Sequence, residues 1–300
     1  MSEPMELREG DEALAVIYPH LGGWLTRYAR NLKGMGWVDA LHHDPAVVDR
    51  YPQKMWAGNP ILFPHVSYNV HEGQEGVYHL NGVDYHSPQH GFGRRVPWQV
   101  VEYTGSSVTL ELLDSDLTRP SYPFAFRYRL RYGLEAGRLC WEQTVENRGE
   151  QPLPFSSGFH PYFHVPLAGG QRERCTVRLP RSRRFYPVDQ ASGFFDEPFP
   201  AQDLSVSQDV SGTVFLGDLA HREVVLRDEV GRVEVGMNFN SNPAYRFLAL
   251  WSPHSTAPFY CVEPWTALPN SMGRSDGELI LLQSGESFRA HLWMEVRPLK

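Results

Sequence analysis

The chain has 300 residues, 41% of them hydrophobic and 13% aromatic, which is enough apolar material for a large core and is typical of β-rich structure. Its net charge of −7 and its pI near 6.0 exclude the concentrated positive surface that a nucleic-acid partner requires. The N-terminus has no apolar segment and no apolar run is long enough to span a bilayer, so we predict neither a signal peptide nor a membrane partner.

Short strands separated by turns are predicted along most of the chain, because its 26 Gly and 24 Pro are dispersed and not clustered. Residues 31–58 are predicted to be a loop, with a short helix near residues 46–50 that Pro52 ends. The apolar run 60–64, bracketed by prolines, is predicted to be a buried connector, and 193–203 a loop. Strands are predicted, in chain order, at 13–18, 24–28, 98–103, 108–113, 124–132, 139–147, 155–164, 175–179, 185–187, 213–216, 223–227, 232–237, 246–251, 259–263, 279–283 and 288–296.

Five histidines between residues 65 and 90 raise the question of a metal site; they are His65, His71, His79, His86 and His90. The segment contains neither an H-x-E-x-H motif nor a His-x-His pair. The spacings do not place two ligands on one strand face with a third nearby. We therefore predict scattered surface histidines and no metal.

Strand 124–132 carries a row of three arginines, Arg127, Arg129 and Arg131, on the face opposite its aromatic residues. Such a row could hold a phosphate. More often it is the solvated face of a sheet, and in that case Glu142 and Glu146 on the next strand would neutralise it.

The stretch 155–164 is the first candidate site. If it is one strand, His160, Tyr162 and His164 share a face and can offer an imidazole and a phenol to a cleft. Pro161 has no backbone N–H, which predicts an edge strand, a bulge or the rim of a pocket. The alternative is a surface strand whose histidines are satisfied locally.

The stretch 259–265 is the second candidate, because Cys261, Glu263 and Trp265 point to one side of the predicted strand. A glutamate in an apolar, aromatic strand needs a partner or a purpose. It could cap a loop or pair with an arginine, or it could lie beside a sugar ring that stacks on Trp265. Cys261 lacks a catalytic signature and is predicted to be a buried structural thiol.

The cysteines also suggest a compartment. Cys140, Cys175 and Cys261 are an odd set without metal-like spacing, which predicts reduced thiols and a cytoplasmic location.

The third candidate is 90–95, where His90 and Arg94 flank two glycines. The spacing fits neither a dinucleotide loop nor a P-loop, and no helix is predicted to follow. We interpret the glycines as a sharp bend that presents His90 and Arg94 together.

Four motifs together carry a resemblance over nearly the whole chain: P-I-L-F-P at 60–64, H-G-F-G-R at 90–94, G-F-H-P-Y-F at 158–163 and V-E-P at 262–264. In this order and spacing they resemble the aldose 1-epimerase (galactose mutarotase-like) family, in particular its bacterial branch with an H-G-F-x-R motif, which neighbours the hexose-6-phosphate epimerases. The resemblance implies an all-β fold, a β-supersandwich of many antiparallel strands with a sugar in a cleft across one sheet. The chain has no obvious linker or repeat, so we expect residues 1–300 to form a single domain.

The resemblance also implies roles for individual residues. It assigns His160 as the general acid on the ring oxygen and Glu263 as the general base on the anomeric hydroxyl. His90 would hold the sugar, with Arg94 following it, and Asp218 is matched to a family aspartate that binds sugar hydroxyls. The chain departs from the family at 65–69, where an arginine is usual, and Arg94 or Arg95 could supply the missing charge.

The chemistry suits these residue types independently of the family. Anomer interconversion needs one group that removes a proton from the anomeric hydroxyl and another that protonates the ring oxygen, with the roles reversed on closure. No electrons move, so no cofactor is expected, and the partner would be a small sugar or sugar phosphate bound by a monomer or homodimer. Two alternatives stay open: a non-catalytic carbohydrate-binding protein on the same fold, and a cupin-type metal enzyme.

Overall fold

A computed structural model describes residues 3–189, 193–208, 212–274 and 278–299, which are almost entirely antiparallel β-sheet. Within these ranges the largest sheet has nine strands. Their order across the sheet is Gln99–Tyr103, Ser107–Leu113, Phe126–Glu135, Arg138–Asn147, Ser287–Pro298, Val233–Asn238, Glu223–Asp228, Cys175–Leu179 and Gln202–Ser205. The C-terminal strand therefore joins the two halves of the sheet.

A second sheet has eight strands among the described residues. Seven of them follow one another across the sheet as Gly193–Phe199, Ser182–Asp189, Val214–Gly217, Phe247–Trp251, Phe259–Trp265, Gly158–Phe159 and Ile61–Leu62. The eighth, Tyr162–His164, also pairs with Phe259–Trp265. The two strongest candidate stretches of the sequence are therefore neighbours in one sheet.

Smaller elements complete the fold. A four-stranded sheet consists of Met5–Glu9, Ala13–Tyr18, Trp24–Leu32 and Gly36–Asp39. Two-stranded sheets pair Leu153–Phe155 with Ile280–Leu282, Val70–His71 with Gln74–Glu75, and Val77–Leu80 with Val83–His86. The helical elements are Pro45–Val48 and the 3-10 turn Arg172–Arg174. In the described part of the chain, neither is long and apolar enough to cross a membrane.

The core lies between the two large sheets because their strands alternate in polarity. Leu130 and Val145 of the nine-stranded sheet belong to the same buried cluster as Leu250 and Val262 of the eight-stranded one. Alternation then turns Cys261, Glu263 and Trp265 to the opposite face of the eight-stranded sheet. That face is where the site forms. The all-β prediction is confirmed, and the single domain over residues 1–300 stays a prediction.

The arginine row at 127, 129 and 131 is neutralised by neighbouring strands, as the second interpretation predicts. Arg127 forms a bidentate salt bridge with Glu146, and Arg131 contacts Glu142 at 3.0 Å. Arg129 contacts Glu111 at 2.7 Å, a partner the sequence analysis did not identify. Because these carboxylates form ion pairs with the guanidinium groups, the row is not available to bind a phosphate.

Two loop predictions are wrong in part. Residues 193–203, predicted to be a loop because of their prolines, contain the strand Gly193–Phe199 and the start of Gln202–Ser205, and the first of these pairs with Ser182–Asp189. The predicted loop 31–58 contains the strand Gly36–Asp39, while its short helix is present at Pro45–Val48. All three missed strands lie at sheet edges, where a strand pairs with only one neighbour and needs no strong apolar alternation.

The stretch 155–164 is not one strand. It breaks at residues 156–157 and again at His160–Pro161, leaving Gly158–Phe159 and Tyr162–His164 as short separate segments. Both segments pair with the strand Phe259–Trp265 in one register, Gly158 with Trp265 and Tyr162 with Cys261, and the ladder is interrupted between them because Pro161 has no N–H to donate. The break corresponds to the pocket rim that the proline predicted.

Candidate active site

A cleft of about 410 Å³ opens on the outer face of the eight-stranded sheet. This volume lies within the range of small-molecule sites. Its walls come from three parts of the chain that the strands bring together: the loop 52–56, the bend 89–95, and the cleft-facing side chains of the sheet. Among the side chains that line it are His90, Arg94, His160, Tyr162, Glu263 and Trp265, which are six of the seven predicted site residues.

His160 and Glu263 face each other in this cleft. The Nε2 atom of His160 lies 3.4 Å from Oε1 of Glu263, and both side chains are buried, with relative exposures of 7% and 2%. Trp265 donates its indole N–H to Oε2 of Glu263 at 3.2 Å, and Asn59 accepts the backbone N–H of His160 at 3.0 Å. The carboxylate and the imidazole are therefore held in fixed positions, close enough together for one ligand in the cleft to contact both.

Burial shifts the pKa values of the two groups in opposite directions. Desolvation raises the pKa of Glu263 well above that of an ordinary glutamate, against opposing effects of the Trp265 hydrogen bond and the Arg94 charge. Desolvation also lowers the pKa of His160 well below that of an ordinary histidine, and Arg94 lowers it further. Both shifts disfavour the charged form of the group, so the Trp265 hydrogen bond and the Arg94 charge, which oppose the rise at Glu263, favour the carboxylate that a base requires.

The bend at 90–95 aims His90 into the same cleft. The backbone N–H of Ser67 donates to Nδ1 of His90 at 2.9 Å, so in a neutral ring the proton is on Nε2 and is available to a ligand oxygen. The ring of His90 lies edge-on to those of His160 and Trp265, with centroid distances of 5.4 Å and 5.7 Å. His90 is 4% exposed, so the prediction of a surface histidine is wrong here.

The same prediction is also wrong for His65, which is fully buried against the hydroxyl of Ser87, at 2.7 Å. His71, His79 and His86 are partly or fully exposed, as predicted. Of the two buried histidines, His90 lines the cleft and His65 lies behind it. The spacing of the histidines in the sequence could not indicate either position.

Gly91 makes the bend possible. Its φ is +69°, and a Cβ at this position would lie 2.2 Å from the carbonyl oxygen of Phe63, which is backbone and cannot move aside. We expect Gly91→Ala to lower the free energy of unfolding by on the order of 3 kcal/mol, from left-handed strain plus the clash. Gly105→Ala is the matched control, because Gly105 has a φ of +85° but nothing within 4 Å of its Cβ position.

Urea unfolding followed by circular dichroism measures both variants. The control should lose only the strain of about 1–2 kcal/mol for a left-handed alanine. Equal losses in the two variants would show that the contact with Phe63 does not constrain the bend.

Arg94 places a cation inside the cleft. It is 8% exposed, donates to the carbonyl of Gln89 at 3.2 Å, and has an Nε atom without a hydrogen-bond partner in the described structure. Burial lowers its pKa to about 10, while Tyr162 and Glu263 act to raise it. The guanidinium therefore stays charged at neutral pH and brings a positive charge into the cleft.

The two remaining predicted residues in the cleft, Tyr162 and Trp265, are aromatic. Tyr162 stacks on His160 with ring centroids 4.5 Å apart and planes 6° apart, and its hydroxyl lies 3.5 Å from Nε2 of His160. Trp265 contacts Glu263 as described above. These contacts restrict the rotamers of His160 and Glu263.

Asp218, the seventh predicted residue, is not among the side chains that line the cleft. It is exposed at the turn after the strand Val214–Gly217, with a φ of +51°. The structure does not bring it together with the other six. His164 likewise lies away from the cleft, stacked at 6.0 Å on His42.

Several cleft residues had no strong signal in the sequence. They are Lys54, Trp56, Phe215 and Trp251. Trp251 could have been found by alternation, because it pairs with Cys261 and shares the cleft face with Glu263. Lys54 and Trp56 lie in a loop whose position depends on the remainder of the fold.

Cys261 is buried behind the acid and base groups. One ligand atom from each of His160, Cys261 and Glu263 lies within 4.8 Å of the other two. Burial raises the pKa of the Cys261 thiol well above its usual range, so the thiol stays protonated and is a poor nucleophile or metal ligand. This agrees with the prediction of a buried thiol.

Comparison with known proteins identifies relatives over almost the whole chain. A sequence profile of the aldose 1-epimerase family matches residues 10–295. The plasmid-encoded protein LacX of Lactococcus lactis subsp. lactis is 26% identical over 292 residues, covering 89% of this chain and 90% of LacX.

Solved structures with the same fold include two bacterial proteins. The Slr1438 protein of Synechocystis superposes with a TM-score of 0.83 at 24% identity, covering 100% of this chain and 97% of that one. A galactose mutarotase related enzyme of Lactobacillus acidophilus gives a TM-score of 0.82 at 21% identity, covering 99% and 98%. At these identities the likeness concerns the fold, a galactose mutarotase-like β-sandwich.

Proposed function

The chain belongs to the aldose 1-epimerase family, and from this premise we propose that it interconverts the α and β anomers of a hexose or hexose phosphate. Glu263 acts as general base and His160 as general acid. The observation that carries the proposal is their 3.4 Å approach in a cleft of about 410 Å³. Because the chain belongs to this family, the alternative of a cupin-type metal enzyme is dropped.

The reaction needs two proton transfers, one at the anomeric hydroxyl and one at the ring oxygen, and both oxygens are bonded to the anomeric carbon. Glu263 removes the proton of the anomeric hydroxyl while His160 protonates the ring oxygen, so the bond between the anomeric carbon and the ring oxygen breaks and an open-chain aldehyde forms. Rotation about the adjacent carbon–carbon bond presents the other face of the aldehyde. Closure then returns both protons, and because both oxygens are bonded to the anomeric carbon, an acid and a base only 3.4 Å apart suit the geometry.

Other cleft residues would hold the sugar. Nε2–H of His90 and the guanidinium of Arg94 can donate to sugar oxygens, and Arg94 also favours the ionised form of Glu263. The indoles of Trp251 and Trp265 supply apolar faces of the kind on which sugar rings stack. No redox step occurs in this reaction, so the proposal requires no electron-carrying cofactor.

The direct test is exchange NMR on a hexose at anomeric equilibrium, with and without the protein. Magnetisation transfer between the two anomeric protons should accelerate in proportion to protein concentration. Exchange no faster than in buffer for common hexoses and for their 6-phosphates would contradict the enzymatic proposal.

The alternative is a carbohydrate-binding protein that does not catalyse. It is favoured by the sequence at 65–69, which lacks the arginine usual in the family. It predicts sugar binding that survives Glu263→Gln, with no turnover in either form. Isothermal titration of both forms, run beside the exchange experiment, separates the two proposals.

The charges of the cleft favour an anionic sugar. Among the described residues that line it, Lys54, Arg94 and Arg95 are cationic and Glu263 is the carboxylate. Arg95 is half-buried, and its Nε atom has no hydrogen-bond partner in the described structure. A phosphate on the sugar would supply the counter-charge that these groups lack.

Arg95→Gln should therefore distinguish the two substrates. Loss of a charge-assisted contact costs about 1.5–3 kcal/mol, so we expect kcat/KM for a hexose 6-phosphate to fall by about 10- to 100-fold. The value for the free hexose should change little. Arg119→Gln, at an exposed position outside the cleft, is the control. Equal losses on both substrates would indicate that Arg95 does not bind the phosphate.

A further inference from the structure

Three potential metal ligands meet outside the cleft, on the two small hairpins that precede the His90 bend. His71 ends the strand Val70–His71, while His79 and Asp84 are cross-strand partners in the neighbouring hairpin. One ligand atom from each lies within 4.8 Å of the other two. We propose that His71, His79 and Asp84 form a binding site for a divalent transition-metal ion, with Zn²⁺ as the best match.

The distances are close to those of a zinc site. Oδ1 of Asp84 lies 2.6 Å from Nδ1 of His79 and 3.8 Å from Nε2 of His71. Tetrahedral zinc with bonds of about 2.0–2.1 Å separates its ligand atoms by about 3.3 Å, so His79 would release its hydrogen bond to Asp84 and move back by about 0.7 Å to share an ion with it. Two imidazoles and one carboxylate are donors that zinc prefers, and three protein ligands leave a fourth position for water.

The surroundings of Asp84 favour a cation. Within residues 3–189, the side chains that form ion pairs with it are both histidines. The carboxylate accepts the Nδ1–H of His79, so an ion bound here would displace that proton and take the Nδ1 lone pair as a ligand. The rings of His71 and His79 also stack, with centroids 4.9 Å apart and planes 21° apart. A dication between the three groups would neutralise the carboxylate and occupy the lone pairs.

The same contacts could serve without metal, as a hydrogen-bonded histidine stack that caps the hairpins. Two observations favour metal. Each of three strands contributes one donor, and two of the three donors are accessible to solvent. The side chains of His79 and Asp84 are 44% and 55% exposed, so an ion can enter from solvent and the donors can rotate to converge on it.

Metal binding here would add a further connection between the two hairpins, which already meet in the His71–His79 ring stack. The second hairpin ends at His86, and the next residue, Ser87, holds His65 behind the cleft. The chain then continues into His90. An ion at the proposed site would therefore stabilise the segment that leads into the bend at 90–95, without contacting the substrate.

The test uses the full-length protein freed of metal with a chelator and titrated with ZnCl₂ by calorimetry, and with Co²⁺ to observe tetrahedral absorption bands. We expect one ion per chain. His79→Asn and Asp84→Asn should each weaken binding by more than the about 10- to 100-fold that outer-shell changes cost. Both positions are exposed, so the circular dichroism of the variants should match wild type. His221→Asn, at an exposed histidine outside the cluster, is the control.

Two results would overturn the proposal. One is the absence of saturable binding by the wild-type protein, which would leave the hydrogen-bonded stack as the explanation. The other is binding that persists in His79→Asn and Asp84→Asn but is lost in Cys261→Ser, which would assign the ion to the cleft. As an independent readout, Zn²⁺ should raise the melting temperature of wild type and of Cys261→Ser but not that of Asp84→Asn.

Discussion

Glu263→Gln is expected to lower kcat/KM for anomer exchange by about 10²–10⁴-fold, the range attributed to a positioned acid or base. Glutamine keeps the shape of the side chain, and its carbonyl oxygen can still accept the indole N–H of Trp265, so the cleft should remain intact. What is lost is a group that can take a proton from the anomeric hydroxyl. Exchange NMR measures the rate, and sugar titration shows whether binding is retained.

The controls separate loss of chemistry from loss of structure. Glu142→Gln removes an exposed carboxylate on the nine-stranded sheet, outside the cleft, and should leave the exchange rate unchanged. His160→Gln should lose activity to a similar degree, and the double variant should be little worse than either single one, because the two groups act as a unit. An exchange rate in Glu263→Gln within about tenfold of wild type would exclude Glu263 as the base.

Arg94→Met is expected to lower kcat/KM at the wild-type pH optimum by about 10- to 100-fold, the cost of losing charge-assisted contacts in a buried site. It should also move the pH profile. The guanidinium lowers the pKa of both Glu263 and His160, so its removal raises both, and both limbs of the profile should shift to higher pH. These limbs belong to the coupled pair and not to either residue alone.

Arg95→Met is the matched control for this shift. Among the described residues, the groups that shift the pKa values of the acid and base pair include Arg94 but not Arg95, whose charge acts on His90 and Arg94. The control should therefore keep both limbs in place even where its substrate affinity changes. A pH profile in Arg94→Met that is lower but not displaced would mean that Arg94 binds substrate without tuning the pair.

Local patterns in the sequence predicted much of the sheet structure. Alternation over residues 124–132 and 139–147 identified two paired strands and the glutamates that neutralise their arginines. The same rule placed Cys261, Glu263 and Trp265 on one face, as observed. These features depend on the two-residue period of a strand, which neighbouring residues determine by themselves.

Contacts between distant segments decided the rest. The pairing of Tyr162 with Cys261, the seating of His90 against Ser67 and the burial of His65 each join parts of the chain that no local period relates. The same holds for Asp218, which was matched by position along the chain and lies outside the cleft lining. Where a segment at a sheet edge has weak alternation, as in Gly193–Phe199, the sequence gives no clear sign of the strand.

The sequence by itself determined the residue types of the proposed acid and base, the all-β architecture and the side of each strand on which a side chain points. Only the tertiary structure decided that the imidazole of residue 160 and the carboxylate of residue 263 lie 3.4 Å apart beside a guanidinium from the 90–95 bend. The physical reason is that side-chain direction follows from the local backbone, whereas the meeting of three segments depends on how the sheets pair and pack.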